Sequence, residues 1–225
     1  NKDNTVNNVL SLTLKGVIRN NGLKPIGLSP TDYSTYQIFD KNELVFKLID
    51  LNNISTSRVG IVPEKGIMSS SYIRFVPRTD LNIKYFYYQY YDWYMRNIFN
   101  GLGEGVRQTL SGKDLINIEI LVPPRSEQDQ IVCFLDWQVS RINNFIKLIH
   151  GKVNVDQQIL KKYPKSLLAL LIEYRTRLIY DVISGQIDVR GVEIPEFEYV
   201  EEEPEELDEQ SDEIEGEEES VEQEE

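Results

Sequence analysis

From residue 191 to residue 225 the chain carries 19 Asp/Glu and no Lys or Arg. Such a segment repels itself and has almost nothing to bury, so it is expected to stay disordered. It limits the foldable body to roughly 190 residues, the size of one good domain, or of one domain with a long helical element. The segment also distorts the headline charge of −13. Residues 1–190 hold all 24 Lys/Arg against 18 Asp/Glu, a mildly basic balance. Taken whole, the chain looks like a poor nucleic-acid binder; without the segment its body is a plausible one.

A hydrophobic content of 40% is enough for a core. The single cysteine, Cys133, excludes an internal disulfide and a multi-cysteine metal site. It is expected to serve as a small apolar residue on a helix. The apolar runs are too short to span a bilayer, and no signal peptide is visible. These features fit a reducing cytoplasm. The chain starts at Asn1-Lys2-Asp3 without a methionine and so reads as a piece cut from a longer one.

Residues 9–14 alternate, with Leu10, Leu12 and Leu14 against Ser11 and Thr13, the pattern of a half-buried strand. Residues 20–36, rich in Gly, Pro, Ser and Asn, read as loop. The run 44–49 reads as an interior strand, 50–57 as a polar turn, and 58–62 and 72–76 as two further strands. Between 81 and 99, Tyr87, Tyr91, Tyr94 and Ile98 recur at helical spacing, with Asp80 or Asn82 as cap. A Gly-rich loop over 101–105 follows. A last strand is expected over 116–122, stopped by Pro123-Pro124.

The composition then changes. Residues 126–184 hold one Gly and one Pro. Ser126 with Asp129 forms a weak capping box. Ile131, Leu135, Val139, Ile142, Ile146 and Ile149 step by three or four, as do Leu160, Tyr163, Leu167, Leu171, Tyr174, Leu178 and Val182. Both series suit a seam against another helix. A break is expected over 151–164, where weak helix formers precede Pro164, and Gly185 is placed to end the helix. The expected fold class is α+β: a mixed α/β domain over 1–124, a coiled-coil-type helix or broken helical pair over 125–190, and the acidic tail over 191–225.

Catalytic constellations are not apparent. His150 is the only histidine and has no nucleophile setting around it. The 101–105 glycines follow a helix, not the strand of a nucleotide-binding unit. No phosphate-cradling Gly-Lys-Ser/Thr loop, nuclease-type carboxylate/Lys cluster or methyltransferase Pro-Pro-aromatic motif is present. The tyrosines over 85–94 suit core packing, with base stacking as the alternative. Two loops hold side chains able to read base edges. One carries Asp50, Asn52, Asn53 and Arg58 for base edges, with Ser55, Ser57 and Lys47 for phosphates. The other carries Arg107 and Gln108. Composition alone would leave the first an ordinary turn.

Together these residues resemble the specificity subunit of type I restriction–modification systems. Leu44-Val45-Phe46, Gly66-Ile67-Met68-Ser69-Ser70-Ser71-Tyr72, Gly105-Val106-Arg107-Gln108 and Leu110 are similar to its target-recognition domain. Leu121-Val122-Pro123-Pro124, Ser126-Glu127-Gln128, Ile131 and Phe134-Leu135-Asp136 are similar to its domain-to-helix junction. Glu173-Tyr174-Arg175, Leu178-Ile179 and the run Ser184-Gly185-Gln186-Ile187-Asp188-Val189-Arg190 are similar to its helix end.

The resemblance implies a non-catalytic subunit that reads one half of a split sequence in double-stranded DNA. The usual subunit has two recognition domains and two conserved helices; this chain has one of each. It is therefore expected to be a C-terminal half, or a single-domain form that pairs with another copy. The helical region would dock modification subunits through Leu135, Ile142, Ile146, Leu167, Leu171, Tyr174 and Leu178. No cofactor is implied for this chain. S-adenosylmethionine, ATP and Mg belong to the modification and restriction subunits. The alternatives are a fragment of a DNA methyltransferase or nuclease, against which the missing motifs argue, and a coiled-coil scaffold, against which the strand-rich start argues.

Overall fold

The computed structural model describes residues 1–3, 5–14, 16–20, 32–52, 57–78, 80–103, 105, 108–149 and 164–201. The chain divides into two compact units. Asn1–Val76 with Gly103–Ser111 forms the first; Pro77–Leu102 with the described part of Gly112–Glu203 forms the second.

The first unit is built from short antiparallel pairings. Strands β1 (Leu10–Thr13) and β2 (Gly16–Arg19) make a hairpin. Strand β3 (Gln37–Phe39) pairs with β6 (Gly66–Met68). Strand β4 (Leu44–Phe46) lies between β5 (Val59–Ile61) and β7 (Ile73–Phe75). The alternation in β1 buries Leu10 and Leu12, which join Phe39, Val45, Val62 and Met68 in one apolar cluster. All three residues of β4 are buried, as an interior strand requires.

Two glycines let these layers approach. A Cβ on Gly60 would lie 2.7 Å from Leu12 Cδ1 and 2.9 Å from Val17 Cγ2. One on Gly66 would lie 2.6 Å from Leu10 Cγ and 2.7 Å from the Asn8 carbonyl oxygen. The Ile67 N–H donates to that same carbonyl at 2.8 Å, so the backbone there has no room to retreat.

The second unit is helical. Helix α1 (Ile83–Met95) starts at Asn82, whose side-chain oxygen accepts from the Lys84 N–H at 3.0 Å. Tyr85, Phe86, Tyr88, Tyr90, Tyr91 and Trp93 are buried, so the aromatic helix is a packing element. Short helices α2 (Ile98–Leu102) and α3 (Gly112–Ile116) precede α4 (Arg125–Ile149) and α5 (Pro164–Ile183). Compactness thus groups α1 with the long helices, whereas the change in composition falls near residue 125.

Several expectations need correction. Residues 116–122 form no strand: α3 ends at Ile116, and residues 117–124 run without a ladder. Side chains take carbonyls there instead. Tyr85 Oη donates to Leu121 O at 3.0 Å and Gln128 Nε2 to Pro123 O at 2.8 Å. Ser126 does not cap α4; the Pro124 carbonyl accepts from the Glu127 and Gln128 N–H groups at 2.9 and 3.0 Å. Asp129 instead accepts from Arg125 and from Asn82, which together hold its carboxyl below the usual range. Cys133 lies on α4 but is exposed.

The α4 series is buried as expected at Ile131, Leu135, Val139, Ile142 and Ile146. On α5 the buried row runs through Arg175, Leu178, Ile179, Val182 and Ile183, while Leu167 and Tyr174 are exposed. The turn of register is explained by a polar pair: buried Arg175 donates through Nη1 to Asn143 Oδ1 at 2.9 Å. Most of the expected break at 151–164 lies outside the described residues. Pro164 opens α5, where a missing N–H costs nothing. Gly185, at φ +77°, ends the helix, its N–H donating to Val182 O at 3.1 Å.

The acidic segment does not begin as a solvated tail. Residues 189–200 lie along α4, opening with a turn at 189–192 whose Val189 and Val192 carbonyls accept from Gln130 Nε2 at 3.1 and 2.9 Å. Asn143 Nδ2 donates to Val200 O at 2.8 Å, and the Val200 N–H donates to Ser140 Oγ at 3.0 Å. The Lys84 ammonium sits 4.4 Å above the Tyr199 ring. Residues 202–225 lie outside the described residues.

Candidate nucleic-acid interface

The site is set by the register of the three-stranded sheet. Phe46, the last residue of β4, lies opposite Val59 on one side and Ile73 on the other. The chain therefore leaves β4 at the end where it enters both β5 and β7. The Lys47 N–H donates to Arg58 O at 3.1 Å and extends the pairing one step beyond the strand.

The two loops singled out from sequence meet at this end. The Leu51 N–H donates to Gln108 O at 3.3 Å, and the Leu110 N–H donates to Leu48 O at 2.8 Å. Leu48, Leu51 and Leu110 are buried beneath the junction. Asp50 and Gln108 both have positive φ, +50° and +46°, a conformation that costs about 1 kcal/mol for side chains of this kind and persists only where surrounding bonds enforce it. Gly103 packs against the pair, since a Cβ there would lie 3.0 Å from Gln108 and from Leu51 Cδ1.

The side chains divide into two sets. Asn52 is exposed, and Lys47, Asp50 and Gln108 are half-buried. Ser57 was expected to hold a phosphate and Arg58 to read a base, but both are in the interior. Ser57 Oγ donates to Val59 O at 2.8 Å. Arg58 is 3% exposed, and its Nη2 donates to Asp50 O at 3.1 Å, across the turn that carries Asn52. Asn53, Ser55 and Arg107 lie outside the described residues.

A third segment, unremarked as a site from sequence except as part of a family-like run, shares this end. The turn at 69–72 joins β6 to β7, closed by the Tyr72 N–H donating to Ser69 O at 3.2 Å. Gln37 Nε2 lies 3.5, 3.2 and 2.7 Å from the carbonyl oxygens of Ser69, Ser70 and Tyr72. Tyr72 packs against the β1 cluster, and burial raises its hydroxyl pKa. The opposite end of the sheet is different. There Arg74 binds Glu43 and Asp40, Lys65 lies 3.5 Å from Asp40, and Arg19 is paired with Glu64.

In the helical unit, Leu135, Ile142, Ile146 and Leu178 are interior, Leu171 is half-buried, and Leu167 and Tyr174 face solvent. Two more exposed apolar residues, Phe145 on α4 and Leu170 on α5, were not anticipated, although Leu167, Leu170 and Tyr174 share helical spacing. A cleft of about 330 Å³ in the same unit is lined by Tyr85, Leu121, Val182, Ile187 and Val189. Of the charged groups that line it, Glu127, Asp188 and Arg190, the last two pair with each other at 2.7 Å.

Among the described residues no group of His, Cys, Asp and Glu is placed to hold a metal ion, and no helix is long and apolar enough to cross a membrane. The 101–105 glycine run starts inside α2, and His150 lies outside the described residues.

Comparison with known proteins defines the class. The family model for the type I restriction modification DNA specificity domain matches residues 14–155, which take in the three-stranded sheet, its loops and all of α4. The chain belongs to this family. None of the curated proteins matches it.

Proposed function

We propose that the chain reads one half of a split target in double-stranded DNA through the loops gathered at the Phe46 end of its sheet. The junction of the 47–52 and 105–110 segments, made by the Leu51–Gln108 and Leu110–Leu48 bonds, carries this reading. It presents an amide on each segment, Asn52 and Gln108, from a framework fixed by main-chain bonds and buried leucines. Asn and Gln read adenine through its N6 and N7 edge, and Lys47 supplies a phosphate contact. Arg58 acts from inside, holding the Asp50 carbonyl and so the course of the turn.

In this reading the chain performs no chemistry. The exposed apolar residues of the two long helices, Phe145 on α4 and Leu167, Leu170 and Tyr174 on α5, dock a modification subunit, which supplies S-adenosylmethionine-dependent methylation. Restriction subunits with ATP and Mg join the full assembly, and the second half-site is read by another recognition domain. Selection of duplexes from a random library by the intact chain tests the reading. Enrichment of a short fixed half-site, lost in Asn52→Ala or Gln108→Ala, is the expected result. Selection of no sequence, alone or with the modification subunit, would refute it.

A further inference from the structure

We propose that the serine turn at 69–71 is a phosphate clamp of the interface, a contact that sets how the reading loops sit over the bases. This deepens the reading above and rests on it. Three observations carry it.

The first is position. Because Phe46 faces both Val59 and Ile73, the turn leading into β7 stands at the end of the sheet that holds Lys47, Asn52 and Gln108. The second is how the turn is held. The Gln37 side-chain amide gathers the carbonyl oxygens of Ser69, Ser70 and Tyr72. These oxygens would repel a phosphate; a donor covering them removes that repulsion. Gln37 acts on main chain only, so its hold on the turn does not involve the serine side chains.

The third is the donor inventory. Ser70 and Ser71 are exposed. The Ser69 and Ser71 hydroxyls lie 3.0 Å apart, so one donates to the other and a hydrogen is left over for an outside acceptor. Ser70 offers its hydroxyl beside them. A phosphate oxygen accepts and never donates, which suits a turn of this kind, and such contacts position a protein without reading sequence. The far end of the sheet is a poor alternative, because its cations already face Glu43, Asp40 and Glu64.

The test uses the intact chain and the duplex it selects. Ser70→Asp places a negative charge on the turn and should weaken binding about tenfold, to selected and random duplexes alike. Ser70→Arg should tighten both and steepen the dependence of log K on log salt by about one. The double change Ser70→Ala with Ser71→Ala should lose affinity while the preferred sequence stays the same. Circular dichroism checks that each variant is folded. A parent chain that selects its target while Ser70→Asp binds as tightly as the parent overturns the clamp and leaves the function standing. A changed base preference in the double variant overturns it too, since the turn would then read bases. A parent that selects nothing removes the underlying reading first.

Discussion

The Leu51 amide donates to the Gln108 carbonyl at 3.3 Å, and this bond joins the two loops most suited to reading bases. Each loop alone is an ordinary turn. Joined, they give one surface whose shape is set by main chain, with Asn52 exposed on it.

Asn52→Ala should abolish discrimination at one base pair of the target and leave the melting temperature unchanged. The residue is exposed and outside any described ladder. The loss expected at a bidentate adenine contact is about 1–3 kcal/mol. Binding to the selected duplex and to single-base variants of it measures this directly.

Arg58→Ala should behave differently. Its guanidinium is interior and holds the Asp50 carbonyl, so removal frees the turn and costs about 1–3 kcal/mol of stability. Affinity should fall for all sequences together. A loss confined to one base pair, with unchanged thermal stability, would place Arg58 on the DNA instead.

Gly66→Ala should destabilise more than Gly60→Ala. Both new methyls overlap leucine side chains, but at Gly66 the Asn8 carbonyl also stands within 2.7 Å and is held by the Ile67 amide. Overpacking of this kind costs about 1–3 kcal/mol. Thermal denaturation of the two variants gives the order.

A chain ending at Val192 should melt below one ending at Glu201. Removing residues 193–201 takes away the acceptor for Asn143 Nδ2 and the donor to Ser140 Oγ, both on buried residues. Asn143→Ala should cost about 1–3 kcal/mol, since buried Arg175 then loses an acceptor. Equal melting of the two truncated chains would show that the segment adds nothing.

Stability should fall above about pH 10, the ordinary tyrosine value, through the helical unit. Burial pushes Tyr85 up to about 12, and burial with the neighbouring Asp136 carboxylate raises Tyr88 well above 10. A folded pKa above the unfolded one means the unfolded chain loses its proton first as pH rises, so this stabilisation is full below pH 10 and declines above it. Tyr85→Phe should flatten the decline between pH 10 and 12, followed by melting temperature and by tyrosinate absorbance.

What was legible in the sequence followed from periodicity with enough length to show it. Leu10 and Leu12 revealed β1, and the Ile131-to-Ile146 series revealed the buried face of α4. Strands β3 and β6 were not anticipated; the strands that were, β4, β5 and β7, are equally short but lie in longer apolar runs of the sequence. The 116–122 run alternates like a strand, but a strand also needs a partner, and there side chains of Tyr85 and Gln128 satisfy the backbone instead. The candidate loops were legible as composition. Which of their side chains turn inward was not, because Arg58 is buried through a backbone carbonyl eight residues earlier, and a carbonyl leaves no mark in sequence. The start of the acidic segment was hidden for a similar reason: Val189, Val192 and Val200 attach to α4 through main-chain atoms.

The junction beneath the reading loops is made of peptide bonds and leucines, none of which faces outward. If Asn52 contacts a base as proposed, a substitution there changes that contact without disturbing the support beneath it. A scaffold of this kind can acquire a new target one side chain at a time, each step leaving a folded protein behind it, and a designer can follow the same route.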